Sequence, residues 1–452
     1  MRIHLIAIGG SAMHNLAIAL SKKGHLVSGS DDAIFEPSFS RLKRFNILPA
    51  EMGWFPENIT SEIDAVILGM HARPDNPELL KAQELGLKVY SYPEYVYEQS
   101  KDKIRVVIGG SHGKTSITSM ILHVLKQSGI KCDFLVGAQL EGFDTMVQLS
   151  DAPVIIIEGD EYLASPIDRR PKFHLYRANI GLISGIAWDH INVFPTFDNY
   201  VEQFRLFLTT IEPGGIIIYN QEDETVADLV VKEAVNLKKE GYSSGESFIK
   251  DGVTYLKIGE QSVPLLVFGK HNLQNIEAAR KICKNLGVID RQFYLSISTF
   301  KGASRRLELL GKNSFTSVYK DFAHSPSKLR ATIEAVKEQF PDRQLVAVME
   351  LHTFSSLNKD FLNEYQGCID KADVAVVFIS NKTFEHKKME PYDQNIVKQA
   401  FGNDQLNFFS ETEMLVEFLR AINYKSKNLL LMSSGNFGGL DLEGLAESVL
   451  SD

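Results

Sequence analysis

Short apolar runs alternate with helical patterns along almost the whole of this 452-residue chain. That alternation constrains the fold more than any single motif does. N-terminal to residue 102, "IHLIAIGG" reads as a strand, "AMHNLAIALSKKG" as a helix and "HLVSGSDD" as a strand; "AVILGM" and "KVYSYP" are further strands with the helix "NPELLKAQELG" between them. A helical crossover returns the chain to the same end of a sheet, so such strands pair in parallel and the helices cover the faces. The polar stretch "YEQSKDKI" precedes a fresh start at Arg105. A second unit then has strands at "IRVVIGG", "APVIIIEG", "NIGLISGI" and "GGIIIYN", a small β excursion over "KKEGYSSGESFIKDGVTYLKIGEQSVPLLVFG", and the helix "KHNLQNIEAARKICKNLG". A third alternation begins near 297 with "FTSVYKDFAH", "RQLVAVMEL", "ADVAVVFIS" and "NLLLMSSG". The expectation is an α/β protein of three domains, 1–102, 103–296 and 297–452, with ligands at the carboxyl ends of the strands.

Composition narrows the function classes. The chain is 44% hydrophobic and 23% charged, as ordinary globular proteins are. Its net charge of -9 argues against a nucleic-acid partner. The first apolar run is broken too soon for a signal peptide. No stretch approaches the ~18 apolar residues of a membrane span, so a cytoplasmic protein without membrane partners is expected. Cys132, Cys283 and Cys368 are too scattered for a disulfide framework or a zinc site and read as free thiols.

Chemistry gathers at strand ends. Residues 106–126 read "VVIGGSHGKTSITSMILHVLK", a strand, a glycine turn and a helix. The common phosphate-loop spacing needs a glycine where Ile108 stands, so this loop is tighter. The backbone N–H groups of Gly110, Ser111, His112 and Gly113 at a helix N-terminus suit phosphate. Lys114 is placed for the terminal phosphates, and Thr115 or Ser116 for Mg²⁺. "PVIIIEGDEY" ends a strand in Glu158, with Asp160 and Glu161 beyond, where a nucleotide's metal needs a hard oxygen. "LISGIAWDHINVF" reads as a strand ending in Asp189 and His190. That histidine is either structural or a ligand for a second metal ion. Asn272 and Asn275 share a helix face. Their amides suit an adenine edge, and Asn272 alone also suits a helix N-cap. In "KGASRRLELL", Arg305 and Arg306 point opposite ways on an extended strand, one toward phosphate. Asp321, in "VYKDFAHSP", suits ribose hydroxyls or a simple turn. "LIAIGGSAMHNLA" followed by Ser30, Asp31 and Asp32 imitates a dinucleotide fingerprint without its glycine spacing, so the fold is expected and NAD is not.

In their order, "GSHGKTS", "EGDE", "WDH", "GKHNLQN", "SRRLE" and "DFAHSP" resemble the Mur ligase family, the ATP-dependent amide-bond formers of bacterial wall synthesis, over nearly the whole chain. The resemblance implies a Rossmann-like N-terminal domain for a UDP-sugar, a P-loop central domain with a parallel sheet for ATP, and a Rossmann-like C-terminal domain for the amino compound. It implies that Lys114, Glu158, His190 and Arg306 are catalytic, and that Thr115, Glu158 and His190 hold Mg²⁺, or Mn²⁺. Gly110 to Ser116 and Arg306 would grip the ATP phosphates, Asn272 and Asn275 would lie near adenine, and Asp321 at ribose. Gly9, Gly10, Ser11, Ser30, Asp31 and His71 would face the UDP-sugar, and Arg169, Arg170, His324 and His352 the amine. Ser184 stands where relatives usually have Asn. Ala7, Ala12 and Asn15 stand where the first loop has glycines. No carbamylated lysine is expected.

"SGSD" and "PDNPELLKA" resemble the branch that acts on UDP-N-acetylmuramate itself, forming an acyl phosphate that an amine then attacks. Its acceptor is L-alanine or a preformed tripeptide, L-Ala-γ-D-Glu-meso-diaminopimelate. "DEYLASPIDRRPKFHLYRANIG" is similar to the tripeptide users, and "ELHTFSSLNKDF" to the alanine adders; the reading leans to the tripeptide. Arg169, Arg170 and Lys172 suit its carboxylates, or are a solvated basic loop. A folate-polyglutamate-type ligase shares the ATP loop but lacks the N-terminal domain expected here. A non-catalytic nucleotide-binding protein is the alternative from another class. The chain is expected to act as a monomer or weak homodimer.

Overall fold

The computed structural model describes residues 1–138, 143–387 and 391–451. It forms two compact units, one of Met1–Ile186, Asp198–Ser243 and Ala278–Phe293, the other of Ala187–Phe197, Ser244–Glu277 and Tyr294–Asp452. The fold is α/β with parallel-rich sheets. Among the described residues no helix is long and apolar enough to cross a membrane.

The first unit contains two sheets. One is formed by β1 (Arg2–Ile6), β2 (Leu26–Ser30), β3 (Ala65–Leu68) and β4 (Val89–Ser91), all parallel, in the order β2-β1-β3-β4. The other comprises β5 (Ile104–Gly109), β6 (Asp133–Leu135), β7 (Val147–Gln148), β8 (Val154–Glu158), β9 (Ile180–Ile183), β10 (Ile216–Asn220) and β11 (Lys238–Tyr242), ordered β11-β10-β9-β5-β8-β6-β7. Among the described residues only β6 and β7 pair antiparallel in it. β5 sits between β8 and β9, so the strand order reverses beside it, the position at whose carboxyl end sheets of this kind bind ligands. "VVIG" and "VIII" are buried on both faces, which is why they are apolar runs instead of alternating patterns. Phe173 is fully buried, stacked on Phe207 at 4.7 Å and edge-on to Phe204 at 5.5 Å.

The second unit contains the later part of the β excursion as an antiparallel meander of β12 (Ser247–Lys250), β13 (Val253–Ile258) and β14 (Gln261–Leu265), whereas its first residues, "KKEGY", form β11 in the larger sheet of the first unit. Its larger sheet has β15 (Glu308–Lys312), β16 (Ser317–Asp321), β17 (Gln344–Glu350), β18 (Val374–Phe378), β19 (Asn407–Phe409) and β20 (Lys427–Met432), ordered β15-β16-β20-β17-β18-β19. Edge strand β15 runs antiparallel to its neighbour β16. Along β17, Leu345, Ala347 and Met349 enter one core, while Val346 and Val348 enter the core on the opposite face, the two-residue period of a strand covered on both sides.

Two local expectations fail. Arg305 and Arg306 are not on an extended strand: β15 starts at Glu308, and Arg305 and Leu307 have φ of 56° and 46° in the turn before it. Hydrogen bonds fix that turn, from Leu307 N to Asp321 Oδ2 (2.6 Å) and from Arg305 N to Glu308 Oε2 (2.7 Å). Nor do Asp189 and His190 end a strand. β9 stops at Ile183, and His190 has φ of 54° in a turn whose carbonyl accepts from Val193 and Phe194.

His174 generates a testable consequence of this packing. It is buried against Phe173, with Nε2 2.7 Å from the Gln203 carbonyl. Burial, against the opposing pull of that carbonyl, pushes its pKa down from 6.5 to about 4. Below the ordinary histidine value the unfolded chain binds a proton that the folded chain refuses, so stability falls as pH drops through this window. Urea midpoints measured from about pH 7.5 to about pH 5 should decline, and less steeply in His174→Gln.

Candidate active site

The glycine turn after β5 is shaped by neighbours that leave no room for a side chain. Gly110 has φ of 126°, and a Cβ there would lie 2.2 Å from Ser184 Oγ. Gly113, at φ of 76°, leads into the helix Lys114–Gln127. The turn is tied to the stretch after β9: Ser184 N donates to the Gly109 carbonyl (3.0 Å), Ser111 N to the Gly185 carbonyl (2.9 Å), and the Ser184 hydroxyl to the His112 carbonyl. Ser184 therefore braces the loop.

Lys114 emerges from this turn. Its Nζ donates to the Gly110 carbonyl and to Glu161 Oε2, both at 2.6 Å. Burial opposes its charge, but Glu161, Asp160 and Glu158 outweigh burial and hold the ammonium above the ordinary lysine value. The Tyr200 hydroxyl donates to Glu161 Oε1 (3.1 Å) and lies 2.9 Å from Ser111 Oγ. One chain of contacts thus links the loop, the acidic turn after β8 and the helix Phe197–Thr210. Beside it the Thr115 hydroxyl donates to Glu158 Oε1 (2.7 Å), and Gly137 N to Glu158 Oε2 (2.8 Å). Ser116 is buried one residue further along the helix. Asp160 pairs with Lys172 at 2.6 Å. Burial works against its charge, yet Lys172 and Lys114 hold its carboxyl well below the usual range.

The donor set suits Mg²⁺. Thr115 Oγ1 and Glu158 Oε1 are hard oxygens already in contact, beside amides and a lysine suited to phosphate. Among the described residues no three His, Cys, Asp or Glu side chains form a metal cage. A magnesium ion here would complete its shell from water and phosphate oxygens, its usual mode.

In the second unit, Asp189 pairs with Lys328 Nζ at 3.4 Å. Burial opposes its charge, and Lys328, His190 and His324 overcome it, holding the carboxyl well below the usual range. The His190 amide donates to Asp189 Oδ1 at 2.8 Å. His324 Nδ1 lies 2.8 Å from the Phe322 carbonyl, and burial with Lys328 pushes its pKa down to about 3. Asp321 accepts from Leu307 N and from Ala323 N (2.7 Å), so its carboxylate is engaged by its own turn, the simpler of its two sequence readings. Arg306 stacks over the Phe322 ring at 4.6 Å. Arg305, Lys320, Asp321, Ser433 and Phe437 line a cleft of roughly 200 Å³ at the ends of β16 and β20. Asn272 is no N-cap. It lies within the helix Lys270–Asn285, buried like Asn275, and its amide donates to the Phe268 carbonyl at 2.9 Å. His352 follows β17, 4.0 Å from buried Glu350.

In the N-terminal sheet, Gly9 N donates to Asp31 Oδ2 at 2.7 Å, at the carboxyl end of β1 where strand order also reverses. Gly10 lies beside His71, and Ser11 opens the helix Ser11–Lys22. Ala7 holds φ of 64°, a conformation glycine would ordinarily supply, so the turn survives without that glycine. Ser30 corrects its sequence assignment: it is 2% exposed and its hydroxyl points inward to Glu78, so it supports the turn and does not line it. The basic loop is also partly neutralised. Arg170 pairs with Asp168 (2.6 Å) and Glu94 (3.3 Å), and Lys172 with Asp160, while Arg169 is exposed.

Sequence reasoning missed Tyr200 and Lys328 as site residues, and noted Glu161 without giving it a role. The signal for Glu161 was its place in "EGDE". A lone tyrosine or lysine on a distant helix carries no signal until the chain folds.

Three family models match the chain: "Mur ligase family, catalytic domain" over residues 2–103, "Mur ligase middle domain" over 108–283, and "Mur ligase, glutamate ligase domain" over 305–435. A UDP-N-acetylmuramate–L-alanine ligase of Caldicellulosiruptor saccharolyticus is 31% identical over 390 residues, covering 83% of each chain. A UDP-N-acetylmuramate–L-alanyl-γ-D-glutamyl-meso-2,6-diaminoheptandioate ligase of Haemophilus influenzae is 27% identical over 450 residues, covering 97% of each. The solved structure of a UDP-N-acetylmuramate–alanine ligase from Thermotoga maritima superposes with a TM-score of 0.69 at 20% identity, covering 100% of this chain and 98% of that one.

The Ser111–Tyr200–Glu161–Lys114 chain predicts a measurable effect on nucleotide binding. Tyr200→Phe removes the hydroxyl that meets both Glu161 and Ser111 and should weaken ATP binding roughly five- to tenfold, read by titration of the folded variant.

Proposed function

The chain belongs to the Mur ligase family of ATP-dependent amide-bond-forming ligases of peptidoglycan synthesis, and from that premise we propose that it joins a peptide or amino acid to the carboxylate of UDP-N-acetylmuramate. The observation that carries the reading is the pairing of Thr115 with Glu158 at 2.7 Å, beside Lys114 at the switch point of the larger sheet of the first unit. In this reading residues 1–102 hold the UDP-sugar, 103–296 hold ATP, and 297–452 present the amine. Separate sheets and separate family models support that division. The reaction is assigned to the cytoplasm, with Mg²⁺ or, as its alternative, Mn²⁺ as the metal.

The chain's own groups account for most of the mechanism. The loop amides and Lys114 receive the ATP phosphates, with Lys114 exchanging its Gly110 and Glu161 contacts for phosphate oxygens. Arg306 supplies a second cation, Asn272 and Asn275 lie on the adenine side, and Asp321 on the ribose side. Thr115 and Glu158 would hold one Mg²⁺ and His190 a second, and the ions would neutralise phosphate charge. The γ-phosphoryl group passes to the muramoyl carboxylate, the amine attacks the acyl phosphate, and phosphate leaves as the amide forms. No side-chain nucleophile is needed, because orientation and charge neutralisation lower the barrier.

The acceptor we propose is the tripeptide L-Ala-γ-D-Glu-meso-diaminopimelate. Arg170 is 58% exposed, and surface ion pairs contribute only about 0–1 kcal/mol, so its contacts with Asp168 and Glu94 can yield to ligand carboxylates. L-Alanine is the second reading, favoured by the C. saccharolyticus relative and by "ELHTFSS".

Two measurements test these assignments. Lys114→Ala should lower turnover by roughly 10²–10³ while remaining folded, since a charge partner of the transition state is lost; near-parental ligation would exclude the loop as the phosphate site. For the acceptor, kcat/KM with tripeptide should exceed that with L-alanine at fixed ATP and UDP-N-acetylmuramate, and Arg170→Ala should weaken tripeptide use selectively. Efficient alanine ligation without tripeptide ligation would establish the second reading.

A further inference from the structure

The motifs "SGSD" and "PDNPELLKA" take no direct part in the chemistry above, yet the fold joins them in one buried cluster. Glu78, in the first turn of the helix Pro77–Glu84, is 0% exposed. Its Oε2 accepts from the Ser30 hydroxyl and lies 3.2 Å from His4 Nε2; its Oε1 accepts from Phe55 N at 2.7 Å. The other nitrogen of the His4 ring is 2.9 Å from Ser28 Oγ. Asn76 caps the same helix, accepting from Glu78 N at 3.0 Å and Leu79 N at 3.2 Å. Gly29 separates the two serines because a Cβ there would lie 2.7 Å from the Leu5 carbonyl of β1.

The cluster leads directly to the turn at the end of β1. Immediately after Ser30, the Asp31 carbonyl accepts from Gly53 N at 2.8 Å and its carboxylate accepts from Gly9 N at 2.7 Å. Glu78 therefore grips both segments that flank Asp31: the end of β2 through Ser30, and residues 53–55 through Phe55. A carboxylate this deeply buried is tolerable only when its lone pairs are filled. Burial opposes its ionisation, and His4, Ser30 and the Phe55 amide overcome that, holding the carboxyl below its ordinary range.

We propose that Glu78 is a positioning residue of the sugar-nucleotide site, fixing Asp31 against the Gly9 amide while touching no substrate itself. The inference rests on the reading that the N-terminal sheet receives UDP-N-acetylmuramate. It assigns "PDNPE" a role in substrate affinity and not only in stability, because its carboxylate is spent on the two segments that hold Asp31 instead of on the hydrophobic core.

The test uses the full chain, with KM for UDP-N-acetylmuramate and kcat measured at saturating ATP and acceptor. Glu78→Ala should raise that KM roughly tenfold and Ser30→Ala by a smaller factor, with kcat and the KM for ATP unchanged. The double variant should fall short of the product of the two effects, because both act on one linkage. A purely structural role would lower the active fraction, and so kcat, without moving KM; that result overturns the proposal. If Glu78→Ala does not fold, Ser30→Ala decides alone, and an unchanged KM overturns the proposal. Asp31→Ala separates the premise from the inference. If it leaves KM unchanged, the sugar-nucleotide reading fails and the proposal fails with it. If it raises KM while Glu78→Ala and Ser30→Ala do not, only the role of Glu78 fails.

Discussion

Lys114 leaves a left-handed glycine, reaches back to the Gly110 carbonyl and meets Glu161 in a nearly buried contact at 2.6 Å. A desolvated ammonium is unfavourable alone. The first unit answers it with Glu158 at the end of β8 and with Asp160 and Glu161 in the turn after it. Those carboxylates are in turn held by Thr115, Gly137, Lys172 and Tyr200. Each contact on that list comes from a different part of the chain, so the loop keeps its shape only while the whole sheet is assembled. The same arrangement keeps the Lys114 ammonium at the glycine turn, against the Gly110 carbonyl and Glu161.

A comparable economy of charge recurs elsewhere. Asp189 is surrounded by Lys328, His190 and His324 within the second unit, and Asp321 closes a turn through two backbone amides before it can serve any ligand. Glu78 does the same for the N-terminal turn. In each case a carboxylate is engaged by backbone amides: His190 N for Asp189, Leu307 N and Ala323 N for Asp321, and Phe55 N for Glu78. Surface pairs such as Arg170 with Asp168 are a different class, weak enough to be displaced. This contrast separates the buried groups that fix the backbone from the exposed ones that can exchange partners.

Much of this was legible in the chain itself. The alternation of apolar runs and helical patterns determined parallel sheets with helices on their faces, because no other arrangement buries runs such as "VVIG" and "VIII" on both sides. The β excursion and the strand end at Glu158 followed from the same local chemistry, as did the loop ending in Lys114 and Thr115. These depend on spacing within one segment, and spacing is written in the sequence. The arginines of "SRRLE", read as extended, failed because Asp321, from the next strand, captures Leu307 N and bends the chain. Ser30 failed as a ligand contact because its neighbour Glu78 belongs to a helix far along the chain. Tyr200 and Lys328 gave no signal at all. The sequence by itself determined most of the strands and helices and the strand ends at Glu158 and Asp321, but not the turns that hold His190 and Arg306. The tertiary structure alone decided which way those side chains point and what they meet, because a buried charge takes its orientation from partners that only long-range packing supplies.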